Sequence, residues 1–507
     1  MAHIREPSHD PLKAWKLIVF QTEKSGDIFS LLMKTLAICL IASISLFVFF
    51  STLSSQSRWL LQCPECDGVI GYSGDKSELH HHISGEEYEK TNISHIIFGI
   101  GGSAKTWKDR RHYSELWWKP NITRGFVWLD EKPAEYEPWP EKSPPFQVSE
   151  DSSRFKYTNP YGTRSAVRIA RIVSESFRLG LENVRWFVMG DDDTVFFPEN
   201  LVSVLSKYDH RQMYYIGGNS ESVEQDVIHW YSMAFGGGGL AISYPLAAEL
   251  VRVLDACIDR YSSLYGSDQR IQACLSEIGV PLTKELGFHQ VDIRGDPYGL
   301  LAAHPVAPLV SLHHLDYVKP LFPNGTQLES LRSLISAYRV DPGRTLQQSF
   351  CYDLKRNWSV SVAWGYTAQI YPWLLTAKEL ETPLQTFQTW KSWSNEPFAF
   401  NTRPLSPDPC ERPIIYFLDR VQEVGAGETL SSYKRFVAEP VKDCDRADYI
   451  SAFLQTVNVS ATNMEPHEWK KAPRRQCCEI MNGTDGDDGA VQIQIRRCNL
   501  QESVTPP

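Results

Sequence analysis

The sequence WFVMGDDDTVFF, residues 186–197, places three consecutive aspartates between two apolar runs. The first run has the length and composition of a buried strand. In open α/β sheets, ligands bind at the carboxyl ends of the strands, which is where Asp191, Asp192 and Asp193 would lie. Three like charges repel one another unless a cation offsets them, and oxygen ligands favour Mn²⁺ or Mg²⁺. A solvated acidic turn or a helix N-cap is the alternative, and the apolar flanks favour the metal.

The chain before this stretch has the pattern of a parallel sheet. Residues 95–102 form a buried-type strand ending in glycines, residues 105–118 have helical spacing, and residues 125–129 form a second strand. An amphipathic helix over 162–179 then leads into the strand that carries the aspartates. We therefore predict an α/β domain over 92–340.

Glycines mark two places where a ligand could approach the backbone. Gly101 lies in the turn after the first strand, where a nucleotide could bind, and Arg110 could meet its phosphates or coat the helix surface. Four glycines at 236–239, among them Gly237 and Gly238, would let the chain pass close to something bulky. The aromatic residues just before them could stack on a sugar, or simply pack in the core.

Two further positions could take part in chemistry. Asp268 stands at the predicted start of a helix, where it is either a helix N-cap or a carboxylate base near the glycines. His313 and His314 end a predicted strand, and one of them could add a nitrogen ligand to the aspartates. A lone core or surface histidine is the simpler interpretation.

In their order, these motifs resemble the fringe-like glycosyltransferases of family 31, in the branch of plant proteins with an added C-terminal domain of unknown function. The resemblance covers about residues 92–325, and residues 345–507 are similar to that branch only. It implies a GT-A-like fold, a Rossmann-like mixed sheet flanked by helices. It also implies a UDP-sugar donor and inverting transfer to a hydroxyl of a glycan or glycoprotein acceptor, usually through a β1,3 bond.

The resemblance also implies roles for individual residues. Asp191, Asp193 and His314 would bind Mn²⁺ or Mg²⁺, with His313 and then His289 as alternatives to His314. Asp268 would be the catalytic base. The residues assigned to donor binding are Asp192, Gly101, Arg110, Gly237 and Gly238. A non-catalytic glycan-binding protein on a degenerate transferase scaffold is the alternative function, and a metal-dependent phosphohydrolase is a third.

The ends of the chain suggest a secretory protein. Residues 35–53 are apolar and uncharged, follow a basic segment, and predict a single-pass transmembrane anchor, with a cleaved signal peptide as the alternative. Residues 1–34 would then be a cytoplasmic tail and 54–91 a stalk, in a type II protein of the Golgi membrane with a luminal catalytic part. Residues 341–507 predict a β-rich, disulfide-bonded module.

Charge and cysteine content limit the partners. The net charge of −10 argues against a nucleic-acid partner. Of the 11 cysteines, ten follow the predicted anchor, as expected in an oxidising compartment. Cys257 and Cys274 lie on neighbouring predicted helices and could pair, whereas the pairing of the six cysteines after residue 350 cannot be derived from the sequence.

Overall fold

The computed structural model describes residues 90–134, 138–390, 401–437, 444–481 and 489–506, together with residues 39, 40, 43 and 398. Residues Tyr88–Pro507 form one compact unit, which contains every element discussed below. Residues Met1–Glu87 are a separate unit, of which only residues 39, 40 and 43 are described.

The secondary-structure elements are numbered in chain order. The strands are β1 Ile96–Gly101, β2 Arg124–Leu129, β3 Phe146–Val148, β4 Trp186–Asp191, β5 Val195–Phe196, β6 Tyr215–Gly217, β7 Leu240–Ser243, β8 Leu282–Lys284, β9 Phe288–His289, β10 Ile293–Gly295, β11 Ser311–Leu312, β12 Gln348–Asp353, β13 Trp358–Ala363, β14 Thr367–Tyr371, β15 Leu384–Gln385, β16 Phe387–Thr389, β17 Arg403–Pro404, β18 Ile414–Gly425, β19 Glu428–Arg435, β20 Thr456–Thr462, β21 Cys477–Ile480 and β22 Ala490–Arg496. The helices are α1 Trp107–Trp117, α2 Ser165–Arg178, α3 Pro198–Leu205, α4 Val223–Ile228, α5 Tyr244–Arg260, α6 Ser267–Ile278, α7 Tyr298–Ala302, α8 Gln327–Val340, α9 Ala377–Glu381 and α10 Ala447–Ile450.

Seven strands form one mixed sheet in the order β3-β2-β1-β4-β7-β6-β8. Strand β1 runs parallel to both of its neighbours, β2 and β4, as the βαβ pattern predicted. The chain therefore forms β2 on one side of β1 and later forms β4 on the other side. At the carboxyl ends of these strands Gly101 pairs with Asp191. This is a topological switch point, the place where open sheets bind ligands.

The central strands alternate their side chains between two cores, as a pleated strand must. Phe98 of β1 and Trp186 of β4 belong to one core, while their neighbours Ile97 and Phe187 belong to the other. Helices α2, α5 and α6 cover the second face and contribute Val167, Leu250 and Leu275 to its core. Burying each of these large apolar side chains contributes on the order of 1.5–3 kcal/mol, so both faces hold β1 and β4 in place.

A three-stranded sheet brings a distant segment to the acidic turn. Strand β11 pairs with β5 on one side, where Leu312 lies opposite Val195, and with β9 on the other. Strand β5 begins two residues after Asp193, and His313 directly follows β11. Pairing these two short strands therefore places the histidine beside the aspartates, although 120 residues separate them.

The core that contains Phe98 continues into the C-terminal region. It includes Tyr366, Leu384 and Phe387, and the hydroxyl of Tyr366 donates to the carbonyl oxygen of Leu321 at 2.9 Å. Strand β10 also pairs with β16. The domain boundary at residue 340 stays a prediction, and residues on both sides of it share this core.

The C-terminal residues correct the predicted fold class. Strands β12, β13, β14, β18, β19, β20, β22 and β21 form a closed barrel, which the prediction of a loosely defined β-rich module did not contain. The barrel closes where Phe350 of β12 pairs with Cys477 of β21. This closure joins strands far apart in the sequence, and local periodicity carries no information about it.

The predicted transmembrane helix is the second correction to the fold class. Among the residues that the structure describes, no helix combines the length and apolar character needed to span a membrane. Most of the predicted span 35–53 lies outside the described residues, as do the predicted tail 1–34 and almost all of the predicted stalk 54–91.

Four disulfides link eight of the nine described cysteines, and Cys39 is free. Cys257 of α5 pairs with Cys274 of α6, as their placement suggested. The others are Cys351–Cys478, Cys410–Cys444 and Cys477–Cys498, all of which involve the C-terminal region. The prediction of a disulfide-bonded protein is confirmed.

Candidate functional site

The three aspartates form a tight turn at the end of β4. The backbone N–H of Asp192 donates to the carbonyl oxygen of Gly101 at 2.9 Å, which fixes the turn to the end of β1. The hydroxyl of Thr194 accepts a hydrogen bond from the N–H of Asp191 at 2.9 Å and donates to the carbonyl oxygen of Gly237 at 2.7 Å. Thr194, which the sequence analysis did not select, therefore couples the acidic turn to the glycine run 236–239.

Asp191, Asp193 and His313 form a group, called here the acid cluster, in which one ligand atom from each residue lies within 4.8 Å of the others. Nε2 of His313 is 3.1 Å from Oδ1 of Asp193 and 3.8 Å from Oδ2 of Asp191. His313 and Asp193 are buried, whereas the Asp191 side chain is 35% exposed. Two carboxylates and one imidazole, open to solvent on one side, match the donor set that Mn²⁺ accepts in proteins.

The electrostatics of the acid cluster match a site that needs a cation. Desolvation, followed by the charge of Asp193, raises the pKa of Asp191 to about 7, against the opposing charge of His313. Burial would also raise the pKa of Asp193, but the charge and hydrogen bond of His313 hold it well below its ordinary value. Burial lowers the pKa of His313, and Asp193 more than compensates, raising it to about 9. His313 supplies the compensating charge that a metal ion would otherwise provide. Its buried Nδ1 has no hydrogen-bond partner among the residues that the structure describes.

The other histidine, His314, points away from the acid cluster. Its φ of 54° is left-handed, so the chain turns sharply just after His313. Nδ1 of His314 lies 2.9 Å from Oδ1 of Asp292, and its ring stacks on Trp390 with 4.6 Å between the ring centroids. The structure thus groups the alternative ligand His313 with the aspartates. The assignment of His314 to the metal stays a prediction that this geometry does not favour.

Asp192 and Arg110 lie at a cleft beside the acid cluster. Nη1 of Arg110 donates to Oδ1 of Asp192 at 3.0 Å and lies 3.4 Å from Oδ2 of Asp193. Burial, followed by the charge of Asp193, raises the pKa of Asp192 to about 6. Within the described part of the chain, its buried Oδ2 has no hydrogen-bond partner. The arginine faces the acids rather than merely coating α1.

The cleft has a volume of about 510 Å³, enough to admit a nucleotide. Its walls include the donor-site candidates Gly101, Arg110 and Asp192, together with Asp191 of the acid cluster. Arg168 and Arg164 also line it, but both donate to backbone carbonyl oxygens and so support the walls. The acceptors are Trp128 and Gly102 for Arg168, and Ser152, Ser153 and Phe155 for Arg164. Arg110 is therefore the arginine best placed to meet phosphate.

Asp268 lies near Asp191, on the side away from the cleft that Arg110 lines. Helix α6 begins at Ser267 after an N-cap at Gly266, so Asp268 is not the N-cap. Its Oδ2 accepts the N–H of Gly236 at 3.2 Å and its Oδ1 accepts the N–H of Gln269 at 2.8 Å. Asp268, Gly236 and Asp191 line one small cavity of about 30 Å³. The glycine run thus orients this carboxylate next to the acid cluster.

Gly237 and Gly238 pack against the residues that shape the site. The N–H of Gly238 donates to Oε1 of Gln290 at 2.6 Å. A side chain at Gly237 would collide with His313, since an added Cβ would lie 2.0 Å from Cε1 of that ring. The two glycines, predicted to contact the donor, therefore shape the histidine side of the acid cluster, and their contact with a donor stays a prediction.

Replacing Gly237 with alanine tests this packing. The methyl group would also lie 2.4 Å from both ring nitrogens of His313, so the ring has to leave Asp193. We expect Gly237→Ala to weaken Mn²⁺ binding at least about tenfold, the lower range for disturbing a ligand's surroundings. Electron paramagnetic resonance of free Mn²⁺ during a titration measures the affinity.

Gly236→Ala is the matched control for this prediction. An added Cβ there meets its nearest atom, the Cβ of Asp268, at 3.5 Å, an ordinary contact. Its Mn²⁺ affinity should stay within about twofold of the unaltered protein. Equal affinity in both variants would show that the position of the His313 ring does not matter for binding.

Two family models match the sequence. The fringe-like model matches residues 148–294, and a model described as a protein of unknown function, DUF604, matches residues 225–478, about half of the chain. The chain belongs to the DUF604 family, and its residues 148–294 are fringe-like. The prediction of a fringe-like protein, in the branch with a C-terminal domain of unknown function, is confirmed. The fringe-like match contains the acidic turn, the glycine run and Asp268.

A curated relative of this fringe-like protein is known from Mus musculus under the name beta-1,3-glucosyltransferase. The two sequences are 32% identical over 140 residues, which is 27% of each chain. The match thus spans about a quarter of the relative's length. Together with the family, it supports a glycosyltransferase.

Proposed function

We propose that this protein is an inverting glycosyltransferase that uses a divalent metal and a UDP-sugar to form a β1,3 bond to a hydroxyl of a glycan or glycoprotein. The observation that carries the proposal is the position of Asp191. This carboxylate belongs to the acid cluster and lines both the cleft beside Arg110 and the small cavity that contains Asp268. A metal-binding group, a cleft of nucleotide size and a candidate base thus meet at one residue.

Asp191, Asp193 and His313 would hold the metal, with Mn²⁺ the first candidate and Mg²⁺ the second. The two carboxylates and the imidazole fit either ion, and the nitrogen ligand favours Mn²⁺. When bound, the ion would offset the negative charge of the diphosphate leaving group.

The donor would occupy the cleft of about 510 Å³. Gly101 allows a close approach to the end of β1, and the guanidinium of Arg110, now held by Asp192, is within reach of an anionic group in the cleft. Arginine binds phosphate oxygens through paired N–H groups. UDP-glucose is the first donor to test, because the Mus musculus relative is named for glucosyl transfer.

Asp268 would act as the general base. It would accept the proton of the acceptor hydroxyl while that oxygen attacks the anomeric carbon from the face opposite the diphosphate. The two backbone N–H groups that bind its oxygens hold the carboxylate in one orientation. One base suffices for inversion, because no covalent intermediate is needed.

Exposed aromatic side chains near Asp268 suggest where the acceptor binds. Trp230 and Tyr231 are 56% and 65% exposed, whereas Phe235, also predicted to stack on a sugar, is buried. The amide of Gln269 donates to the carbonyl oxygen of His229 at 2.9 Å, which fixes this segment to the start of α6. The exposed ring faces could pack on the C–H side of an acceptor sugar.

Release of UDP from a panel of UDP-sugars tests the proposal. We expect purified protein to release UDP from at least one donor in the presence of Mn²⁺, and EDTA to stop the reaction. Addition of a glycan acceptor should increase the rate. A complete panel with neither UDP release nor metal-dependent donor binding would refute the transferase proposal.

The lumen of the Golgi apparatus is the proposed site of action. Four disulfides among the described cysteines support an oxidising compartment. Six sequons for N-glycosylation, at residues 92, 121, 324, 357, 458 and 482, are consistent with it. Protein from cells should therefore lose mass on treatment with an N-glycosidase, and protein that carries no N-glycan would contradict the proposal.

A further inference from the structure

Two buried histidines face each other outside the acid cluster. Nε2 of His289, at the end of β9, lies 2.9 Å from Nε2 of His304, which follows α7. The residues are 6% and 2% exposed, and their ring planes meet at 61°. We call these residues the histidine pair. They line a cavity of about 450 Å³ whose wall also includes Lys378 and Glu381 of α9.

The Nδ1 atom of each ring has a hydrogen-bond partner that determines whether this nitrogen carries a hydrogen. Nδ1 of His304 lies 2.8 Å from the carbonyl oxygen of Pro305, which can only accept, so this nitrogen carries the hydrogen. Nδ1 of His289 lies 3.1 Å from Oε1 of Glu221. The other carboxylate oxygen of Glu221 accepts the N–H groups of Val291 and Asp292 at 2.8 and 3.4 Å, which favours its ionised form. Nδ1 of His289 therefore donates to it.

These assignments leave a lone pair on both facing nitrogens. A neutral imidazole with its hydrogen on Nδ1 has only an acceptor at Nε2. Two acceptors at 2.9 Å repel each other unless a cation lies between them. That cation is either an added proton or a metal ion.

We propose that the histidine pair binds a divalent transition metal ion of the Zn²⁺ class through Nε2 of His289 and Nε2 of His304. The hydrogen bonds of the two Nδ1 atoms support this assignment. Histidines that bind metals donate their other ring N–H to a carboxylate or a backbone carbonyl, and here Glu221 and Pro305 provide one of each. Imidazole nitrogen suits Zn²⁺, Cu²⁺ and Ni²⁺, whereas Mg²⁺ prefers oxygen. The proposal does not depend on the proposed transferase function.

The dimensions fit after a small adjustment. Nitrogens about 2.0–2.1 Å from a tetrahedral Zn²⁺ lie about 3.3 Å apart, so the pair would have to open by about 0.4 Å from its present 2.9 Å. Water or a ligand in the cavity would complete the coordination, because a third protein ligand is not grouped with this pair among the described residues. Such an open site differs from a closed structural zinc site.

The zinc content of variants tests the proposal. The background is the full chain with His80, His81 and His82 replaced by alanine, which removes a histidine tract that could itself bind zinc. Protein loaded with Zn²⁺ in excess Mg²⁺ and then dialysed is measured by elemental analysis. Relative to this background, we expect both His304→Ala and His289→Ala to lose about one Zn²⁺ per chain.

Further variants separate this site from other sources of zinc. Asp193→Ala removes a ligand of the acid cluster, and in its presence a change of either histidine of the pair should still remove about one Zn²⁺ per chain. His467→Ala removes an exposed imidazole and should retain the metal. His304→Gln keeps more of the side-chain volume, in case the alanine variant fails to fold, and should lose zinc. A background protein without zinc, or folded histidine-pair variants with full zinc content, would overturn the proposal.

X-ray absorption at the zinc edge adds a test without any change to the pair. The proposed site supplies two imidazole nitrogens, whereas the acid cluster can supply only the one from His313. We expect scattering from two imidazoles in the loaded background protein that also carries Asp193→Ala, which removes a ligand of the acid cluster. A spectrum with one imidazole, or with none, would contradict the assignment.

Discussion

Replacing Asp268 with asparagine is expected to lower kcat by about 100- to 10,000-fold, the contribution of a positioned general base. The amide is nearly the same size as the carboxylate and can still accept the N–H of Gly236 or of Gln269 through its oxygen. It cannot take up a proton from the acceptor hydroxyl. Donor affinity should therefore stay within about twofold, which titration calorimetry with UDP and Mn²⁺ would show beside the rate measurement.

Glu277→Gln is the control for this prediction. Glu277 lies on the same helix, α6, pairs with Arg260 on the surface and does not line the cavity that contains Asp268. Its rate should match that of the unaltered protein. If Asp268→Asn retained nearly full kcat, Asp268 would not be the base. The non-catalytic glycan-binding alternative predicts a different result. The unaltered protein and Asp268→Asn would then bind glycans with equal affinity, and neither would turn over a donor.

Removing the His313 ring is expected to weaken Mn²⁺ binding more than about 100-fold. Changing a residue that only contacts a metal ligand typically weakens metal binding roughly 10- to 100-fold, and the loss of a ligand itself should cost more. The reason is that Nε2 of His313 is the nitrogen atom in the acid cluster. Asp191 and Asp193 would remain as two carboxylates with less to offset their repulsion. The affinity follows from a Mn²⁺ titration of folded His313→Ala.

His314→Ala is the informative comparison, because the family resemblance pointed to that residue. Its ring contacts Asp292 and Trp390 instead of the aspartates. We expect its Mn²⁺ affinity to fall less than about tenfold, as for an indirect contact. A larger loss in His314→Ala than in His313→Ala would restore His314 as the ligand and would require the turn after β11 to rearrange on metal binding.

The position of the aspartates was predictable because it follows from local sequence. An apolar run before Asp191 indicated a buried strand, and a βαβ pattern indicated parallel neighbours, so the carboxyl end of β4 had to lie at a sheet edge that binds ligands. The pairing of Cys257 with Cys274 followed in the same way from two adjacent amphipathic helices.

The choice between His313 and His314 was not predictable from residue types. It depends on the left-handed backbone at His314, which a non-glycine residue rarely adopts, and on Trp390 arriving from the C-terminal region. Asp292, Gln290 and Thr194 support the site through side-chain hydrogen bonds that no sequence period reveals. The closure of the barrel was not predictable for the same reason, since it pairs strands β12 and β21, which are distant in the sequence.

The shared core has a consequence for how this protein unfolds. The fringe-like match ends at residue 294, within β10, and β10 pairs with β16 while Tyr366 and Phe387 pack in the same core as Phe98. A fragment cut at that border would lose strand partners and expose apolar surface. The fringe-like residues and those that follow residue 294 should therefore melt in a single cooperative transition, because the loss of either part would expose the interior of the other.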